Sequence, residues 1–411
     1  MSKLVSCSLL LQIPDLASPN LVCMYPESVE LIYDVYTLCS CCIPSNSKLK
    51  KPTIFAYNID SVFCYALYFL ILDCAYEIVL ISEMPFAYIF QTFLKEIFEQ
   101  FEKNSEITNP SIRFQYVNSY LSSWPEYVQS KMELSFPSNI IPYEIDFTHY
   151  SFVHFDPGAS FTLDECYMIY KALIAGDPVV LLADSARQAS RACFAAFSLL
   201  SPIQYAEPYV LWLRDNDPRF ASILNGESKL KLVATSCTNV WKGNKHFRLV
   251  VDIRHPPQNE QTNIKQIFND LSEDLIGILL QEMDTLLEVD PWSDYINAPL
   301  NIERLAAFPR KPSPRPLSAS DLSNFSKSPT FKQWRKRIVS RSSWRESFLS
   351  ANHKSLYNDR SIEDLTVIVN QINELYSQFK TDRHIKAVLK VHRFTVSAVL
   401  KSLTEKSLQY K

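Results

Sequence analysis

Glycine is scarce in this chain of 411 residues. Only Gly158, Gly176, Gly226, Gly243 and Gly277 are present, and no two lie close enough to build a glycine-rich phosphate loop. Neither G-x-G-x-x-G nor G-x-x-x-x-G-K-[ST] occurs, so no nucleotide cradle of either kind is expected. Long apolar runs are lacking as well. The most apolar stretch, residues 62–72, holds 11 residues and stops at Asp73, whereas a spanning helix needs ~20. That run reads as buried strand, and no membrane span is expected. The opening MSKLVSCSLLLQIPD has an apolar patch broken by Gln12 and Pro14, so no signal peptide is expected either. H-E-x-x-H, G-x-S-x-G and a calcium-binding EF-hand loop are absent. No residue is marked as a covalent nucleophile, and no cofactor or metal is expected.

Ten cysteines are scattered at 7, 23, 39, 41, 42, 64, 74, 166, 193 and 237. Several fall in apolar periods, which suits buried free thiols better than a disulfide framework. Cys39 and Cys42 form one C-x-x-C without the second pair that a zinc site wants. His149 and His154 lie near Asp146 and Asp156, a grouping more often structural than metal-binding. Hydrophobic residues make up 47% of the chain, with 25 Phe and 21 Tyr. That fraction is ordinary for a globular protein and argues against wholesale disorder.

Residues 4–100 read as strands followed by a helix. Strands are expected at 5–13, 20–25, 53–58, 62–72 and 76–81. Pro85 suits a first helical turn. The helix then runs to Lys103 with Ile89, Phe93, Leu94, Ile97, Phe98 and Phe101 on one face. Residues 104–150 read as a connector with one helix near 112–121 and a proline-punctuated loop. The stretch 161–203, FTLDECYMIYKALIAGDPVVLLADSARQASRACFAAFSLLSPI, reads as helix, buried strand, helix. Gly176 stops the first helix. The β-branched run 179–183 suits a strand covered on both faces. Asp184 or Ser185 caps the next helix, which ends before Pro202. Later strands are expected at 210–214, 230–235 and 247–253. From Thr262 onward apolar residues recur at helical spacing, with helices near Asp321, at 362–379 and at 382–403. Residues 309–320 form a Pro/Ser/Arg-rich loop.

Charge is uneven. Residues 310–345 carry ten Lys or Arg against Asp321 alone, a net +9, and residues 346–411 carry ten cations against seven carboxylates, a net +3. The whole chain is −3, which leaves residues 1–309 at −15. Lys332, Arg335, Lys336, Arg337, Arg341 and Arg345 interleave with Trp334 and Trp344. An anionic membrane surface, a solvated helix face and, less favoured, nucleic acid are the readings.

The order of short motifs adds a resemblance. Residues 79–93, VLISEMPFAYIFQTF, resemble V-L-V-S-R-L-P-F-x-x-L-F-Q, and 120–125, YLSSWP, resemble a short helix ending in W-P. The central 161–203 stretch, the segment 201–205 (SPIQY, like S-P-L-K-Y) and 208–220 (PYVLWLRDNDPRF, like R-P-Y-F-T-I-H-D-S-E-F) follow. Residues 238–241 (TNVW) resemble T-N-P-F-F without its preceding glycine, and 325–334 (FSKSPTFKQW) resemble F-L-K-S-P-N-F-x-x-W. Over roughly residues 4–350 the chain resembles DENN domain-containing proteins, most of all their sixth subfamily, which are exchange factors for Rab GTPases. The resemblance implies an α/β (α+β) fold. A longin-like antiparallel sheet with a helix (1–130) would precede an α/β core (131–258) and a helical C-terminal region (259–411). It implies a Rab-family GTPase as partner, and cytoplasmic residence with peripheral association at endosomal or vesicle membranes. Nucleic acid is not expected. Activity would be an interface property rather than covalent catalysis. GTPase contacts would come from strand-end loops: Asp184, Ser185 and Arg187 after the buried strand, and Arg214, Asp215, Asn216 and Asp217. Asp215 matches the aspartate of H-D-S, while Arg214 replaces its histidine. A GTPase-activating protein of the longin–DENN type, using Arg187 or Arg214, and a non-catalytic trafficking scaffold stay open.

Overall fold

A computed structural model describes residues 4–13, 19–27, 51–144, 155–214, 217, 219–237, 246–255, 257, 263–289, 300–308, 312–339, 356–378 and 383–409. These residues form an antiparallel sheet, a parallel sheet and eleven α-helices. They divide into two compact units, residues 1–275 with 309–331 and residues 276–308 with 332–411. Both large sheets therefore lie in the first unit.

The antiparallel sheet has five strands in the order β2-β1-β5-β4-β3. They are β1 (Cys7–Ile13), β2 (Asn20–Tyr25), β3 (Thr53–Ile59), β4 (Val62–Ile71) and β5 (Cys74–Ser82). The 62–72 run is thus a central strand with nearly every side chain buried. Helix α1 (Ala87–Lys103) covers the sheet with Ile89, Phe90, Phe93, Leu94, Ile97 and Phe101 buried. Tyr65 stacks on Phe90 at 4.4 Å between ring centroids and donates its hydroxyl to the Met84 carbonyl at 2.9 Å. Helix α2 (Pro110–Leu121) starts at the Asn109 cap.

The connector departs from expectation. Residues 131–144 form a hairpin, β6 (Lys131–Ser135) with β7 (Ile140–Glu144), not a loop. Each strand is five residues long and Pro142 sits within β7. Proline signals against a strand unless its missing N–H falls on a free edge, as a two-stranded ribbon allows.

The parallel sheet has four strands in the order β11-β8-β10-β9. Helix α3 (Leu163–Ala175) begins with a capping box between Thr162 and Glu165 and ends at Gly176, whose φ of 69° is left-handed. β8 (Val179–Leu182) lies between β10 (Leu232–Thr235) and β11 (Leu249–Asp252), with all four side chains buried. Ser185 caps helix α4 (Ala186–Ser198), and β9 (Tyr209–Leu213) closes the other edge, followed by the short helix α5 (Phe220–Leu224).

The two sheets meet edge to edge at β3 and β9. Asn58, fully buried, accepts the Leu211 N–H on Oδ1 at 2.8 Å and donates Nδ2 to the Tyr209 carbonyl at 3.0 Å. A residue in a parallel ladder bonds the two residues flanking its partner in this way. The Asn58 carboxamide therefore imitates a strand residue opposite Val210 and satisfies the free edge of β9. On the same strand the Ala56 N–H donates to Ser190 Oγ of α4 at 3.2 Å. Arg219 adds a third tie. Its Nη1 donates to the Asn58 carbonyl at 2.9 Å, while Nε and Nη2 grip Asp217 at 2.9 and 2.7 Å.

Past α5, the helices are α6 (Ile264–Val289), α7 (Ile302–Ala307), α8 (Ala319–Lys327), α9 (Pro329–Val339), α10 (Ile362–Gln378) and α11 (Arg383–Gln409). The start of α6 belongs to the first unit, where Phe268 packs on Tyr167 and Tyr170 of α3. In the second unit α10 and α11 share a core of Tyr357, Leu365, Ile368, Ile372, Leu389 and Val396. The Tyr357 hydroxyl lies 2.6 Å from His392 Nδ1.

Asn58→Leu is expected to leave the Leu211 N–H and Tyr209 carbonyl without their partner. At ~1–3 kcal/mol for each buried polar group so stranded, the variant should lose roughly 2–6 kcal/mol in urea unfolding. A loss under about 1 kcal/mol would show that the junction tolerates its absence.

Candidate functional site

A cleft of about 800 Å³ opens within the first unit beside this junction. The start of β3, at Thr53 and Ile54, forms its floor. Five residues separate Ile59 from Ile54 along β3, so the cleft lies roughly 17 Å from the far end of the strand at 3.3–3.4 Å per residue. Two helix faces make its walls. Tyr88, Lys95 and Phe98 come from α1, and Arg187, Arg191 and Ala195 from α4, each set repeating at the three- and four-residue steps of one helical face. Phe98, expected in the core, is half-buried in this wall. Ser185 and Ile253 place the cleft at the carboxyl ends of β8 and β11. That end of a parallel sheet is where loops and helix N-termini gather to meet ligands.

The loop after β8 is held open by its own hydrogen bonds. Ser185 Oγ accepts the Gln188 N–H at 3.2 Å, and the Asp184 N–H donates to Gln188 Oε1 at 2.8 Å. The Gln188 amide also donates to the Ile253 carbonyl, tying this turn to the end of β11. Asp184 and Arg187 are left exposed and Ser185 half-buried. This loop therefore stands at a rim where another molecule can reach it.

The second predicted cluster lies inside the fold. Arg214 is 5% exposed and Asp217 4%. Asp217 is held by Arg219 in the junction described above. Both residues are buried, unlike the exposed loop after β8. Asp215 and Asn216 lie outside the described residues, as do Cys39, Cys41, Cys42, Asp146, His149, His154 and 238–241. Of the basic cluster, Lys332 and Lys336 are exposed. Arg335 is 2% exposed and Trp334 6%. Neither side chain is available to a membrane, so a surface role rests on the exposed lysines alone among the described residues. The Arg337 side chain, Arg341 and Arg345 lie outside them.

Lys95 and Arg191 escaped the sequence reading. The signal that marks them is spacing: Lys95 follows Tyr88 by seven residues, and Arg191 follows Arg187 by four. Only the fold brings the two faces together.

A second cleft, of about 580 Å³, lies at the amino ends of the parallel strands, lined by Glu207, Lys231, His246 and Arg248. Lys231 Nζ donates to the Gly176 carbonyl at 2.7 Å, and Arg248 pairs with Asp177 at 3.1 Å. Glu207 is 6% exposed. Burial raises its pKa, opposed by the Lys231 charge and a hydrogen bond from the Thr330 backbone.

Seven described cysteines are free thiols, with Cys7, Cys64, Cys166 and Cys193 buried. Burial pushes the Cys7 thiol up to about 12. Among the described residues, no group of three or more His, Cys, Asp or Glu is placed to hold a metal, and no helix is long and apolar enough to cross a membrane. Comparison of the chain with protein-family models and with curated proteins gives no match.

Because the folded pKa of Glu207 is raised, the native state binds its proton more tightly than the unfolded chain does. Its ionisation therefore costs stability as pH rises from its ordinary value of 4.5 through the folded value. Glu207→Gln should remove that component. Urea unfolding from pH 4 to 7.5 should show the parent losing stability relative to the variant as pH rises. Parallel curves would mean that Glu207 titrates as a free carboxyl.

Proposed function

We propose that the protein is a guanine nucleotide exchange factor of the DENN type, acting on a Rab-family GTPase during vesicle or endosomal trafficking. The observation that carries this reading is the junction of an antiparallel sheet and its helix with a parallel α/β half, inside one compact unit. A DENN-like module calls for two such halves acting as one surface. The motif order agrees: residues 79–93 run from β5 into α1, and 161–203 cover α3, β8 and α4. In this reading, the longin-like half is β1–β5 with α1, and the α/β half is β8–β11 with α3 and α4.

Exchange needs no covalent step. A GTPase releases GDP faster when a partner binds its nucleotide-free form more tightly than its loaded form. The rim loop with Asp184, Ser185 and Arg187 is the contact we assign to this surface. Arg187 is exposed, so it is also the arginine to test for the activating-protein reading, which requires a guanidinium that reaches the hydrolysis transition state.

The test is release of fluorescent GDP from a panel of purified Rab-family GTPases, run beside single-turnover GTP hydrolysis. At micromolar protein, at least one GTPase should release GDP faster, and Asp184→Ala with Arg187→Ala should slow that release. Accelerated hydrolysis without accelerated release would replace the proposal with an activating protein. Binding that ignores nucleotide state would replace it with a scaffold, and no effect across the panel would end it.

A further inference from the structure

The charge in the larger cleft is unbalanced. Lys95, Arg187 and Arg191 line it, against the single carboxylate of Asp156 among the described residues. Asp156 is partly committed elsewhere, since its Oδ1 accepts the Gly158 N–H at 3.0 Å. Lys95 has a long contact, 3.8 Å, to the exposed Glu99 one turn along α1. Neither the Arg187 nor the Arg191 guanidinium has a hydrogen bond or ion pair among the described residues. They stand four apart on α4, where like charges repel and cost a few tenths of a kcal/mol. Burial, and then the Arg187 charge, lower the Arg191 pKa.

Two further features point to an anion. Both arginines lie in the first two turns of a 13-residue helix, whose N-terminus favours negative charge. The cleft sits at the carboxyl ends of β8 and β11, and its volume is that of a small-molecule site. Arginine forks match phosphate oxygens in pairs, and Lys95 supplies a point charge from the facing wall. Tyr88 and Phe98, one helical turn either side of Gln91 and Lys95 on α1, offer an apolar surface to the body of the ligand.

We infer that this cleft is a binding site for a polyphosphorylated small molecule, free or as the headgroup of a membrane lipid. At least two phosphate groups are needed to engage both walls, so inorganic phosphate alone should bind poorly. The inference does not rest on the exchange reading, because it concerns a small anion rather than a GTPase surface.

The experiment is calorimetric titration of the full chain at matched ionic strength with inositol hexakisphosphate, pyrophosphate and inorganic phosphate. Sedimentation with phosphatidylcholine vesicles, with and without phosphatidylinositol bisphosphate, is the second arm. The expected order is inositol hexakisphosphate, then pyrophosphate, then inorganic phosphate. The doubly substituted Arg187→Ala/Arg191→Ala protein should bind at least ~10-fold more weakly, about 1.4 kcal/mol. Arg248→Ala, in the other cleft, should bind like the parent. Tight binding of the free polyphosphate makes a soluble anion the ligand, whereas binding only to vesicles that carry the bisphosphate makes it a lipid headgroup. Absence of binding in both arms overturns the inference. So does binding that the double substitution leaves unchanged, which would place the anion on the basic segment 310–345. If the double variant misfolds by circular dichroism, Arg187→Gln and Arg191→Gln tested singly replace it, with at least a 3-fold loss expected from each.

Discussion

A buried carboxamide, Asn58, sits where the two sheets meet. Among the described strands, β3 and β9 meet without a ladder of their own. Asn58 supplies the missing donor and acceptor from its side chain, and Arg219 secures its backbone from the other side. An unpaired edge strand is a template for unwanted pairing. Closing β9 with a side chain protects that edge and joins the halves without a continuous sheet, so each sheet keeps its own strand direction and twist.

The cleft follows from that arrangement. β3 is fixed to β9 and α4 around residues 56–58, and its opposite end diverges to form the floor of a gap between α1 and α4. The walls are one face of α1 and one face of α4. The rim loop after β8 is kept in place by Ser185 and Gln188. These elements thus present Ser185, Arg187, Arg191 and Lys95 around one space. This economy has a consequence for function. A GTPase that docks on the rim and a small anion that enters the cleft would both meet Arg187, so occupancy of one would bear on the other.

Local signals in the sequence carried most of the elements. Thr162, Glu165 and Gly176 bracket α3 in the sequence as they do in the fold, because caps and left-handed stops are chemistry of single residues. The β-branched run at 179–182 is a strand buried on both faces for the same reason that it reads as one. The hairpin at 131–144 was hidden by Pro142, which a strand reading rejects unless its edge is known to be free. The site was legible only in part. Asp184, Ser185 and Arg187 follow a strand and stand at a rim. Arg214 and Asp217 follow another strand and are buried, because Arg219 turns back to pair with Asp217. Nothing in that turn announces a structural ion pair in advance. Arg335 and Trp334 likewise sit in a basic run whose composition suggests a surface, yet both are buried. Composition describes a segment, while burial is decided by the side of the helix on which each residue falls.

The antiparallel and parallel sheets of the first unit are expected to stand or fall as one cooperative body. Native-state hydrogen exchange of the backbone amides tests it most directly. The amides of β4 and β5 and those of β8 and β10 should exchange with the same opening free energy and the same dependence on denaturant, and Asn58→Leu should split them into two classes. If the unaltered protein already shows one sheet opening well below the other, the halves are independent domains and the junction at Asn58 does not unite them.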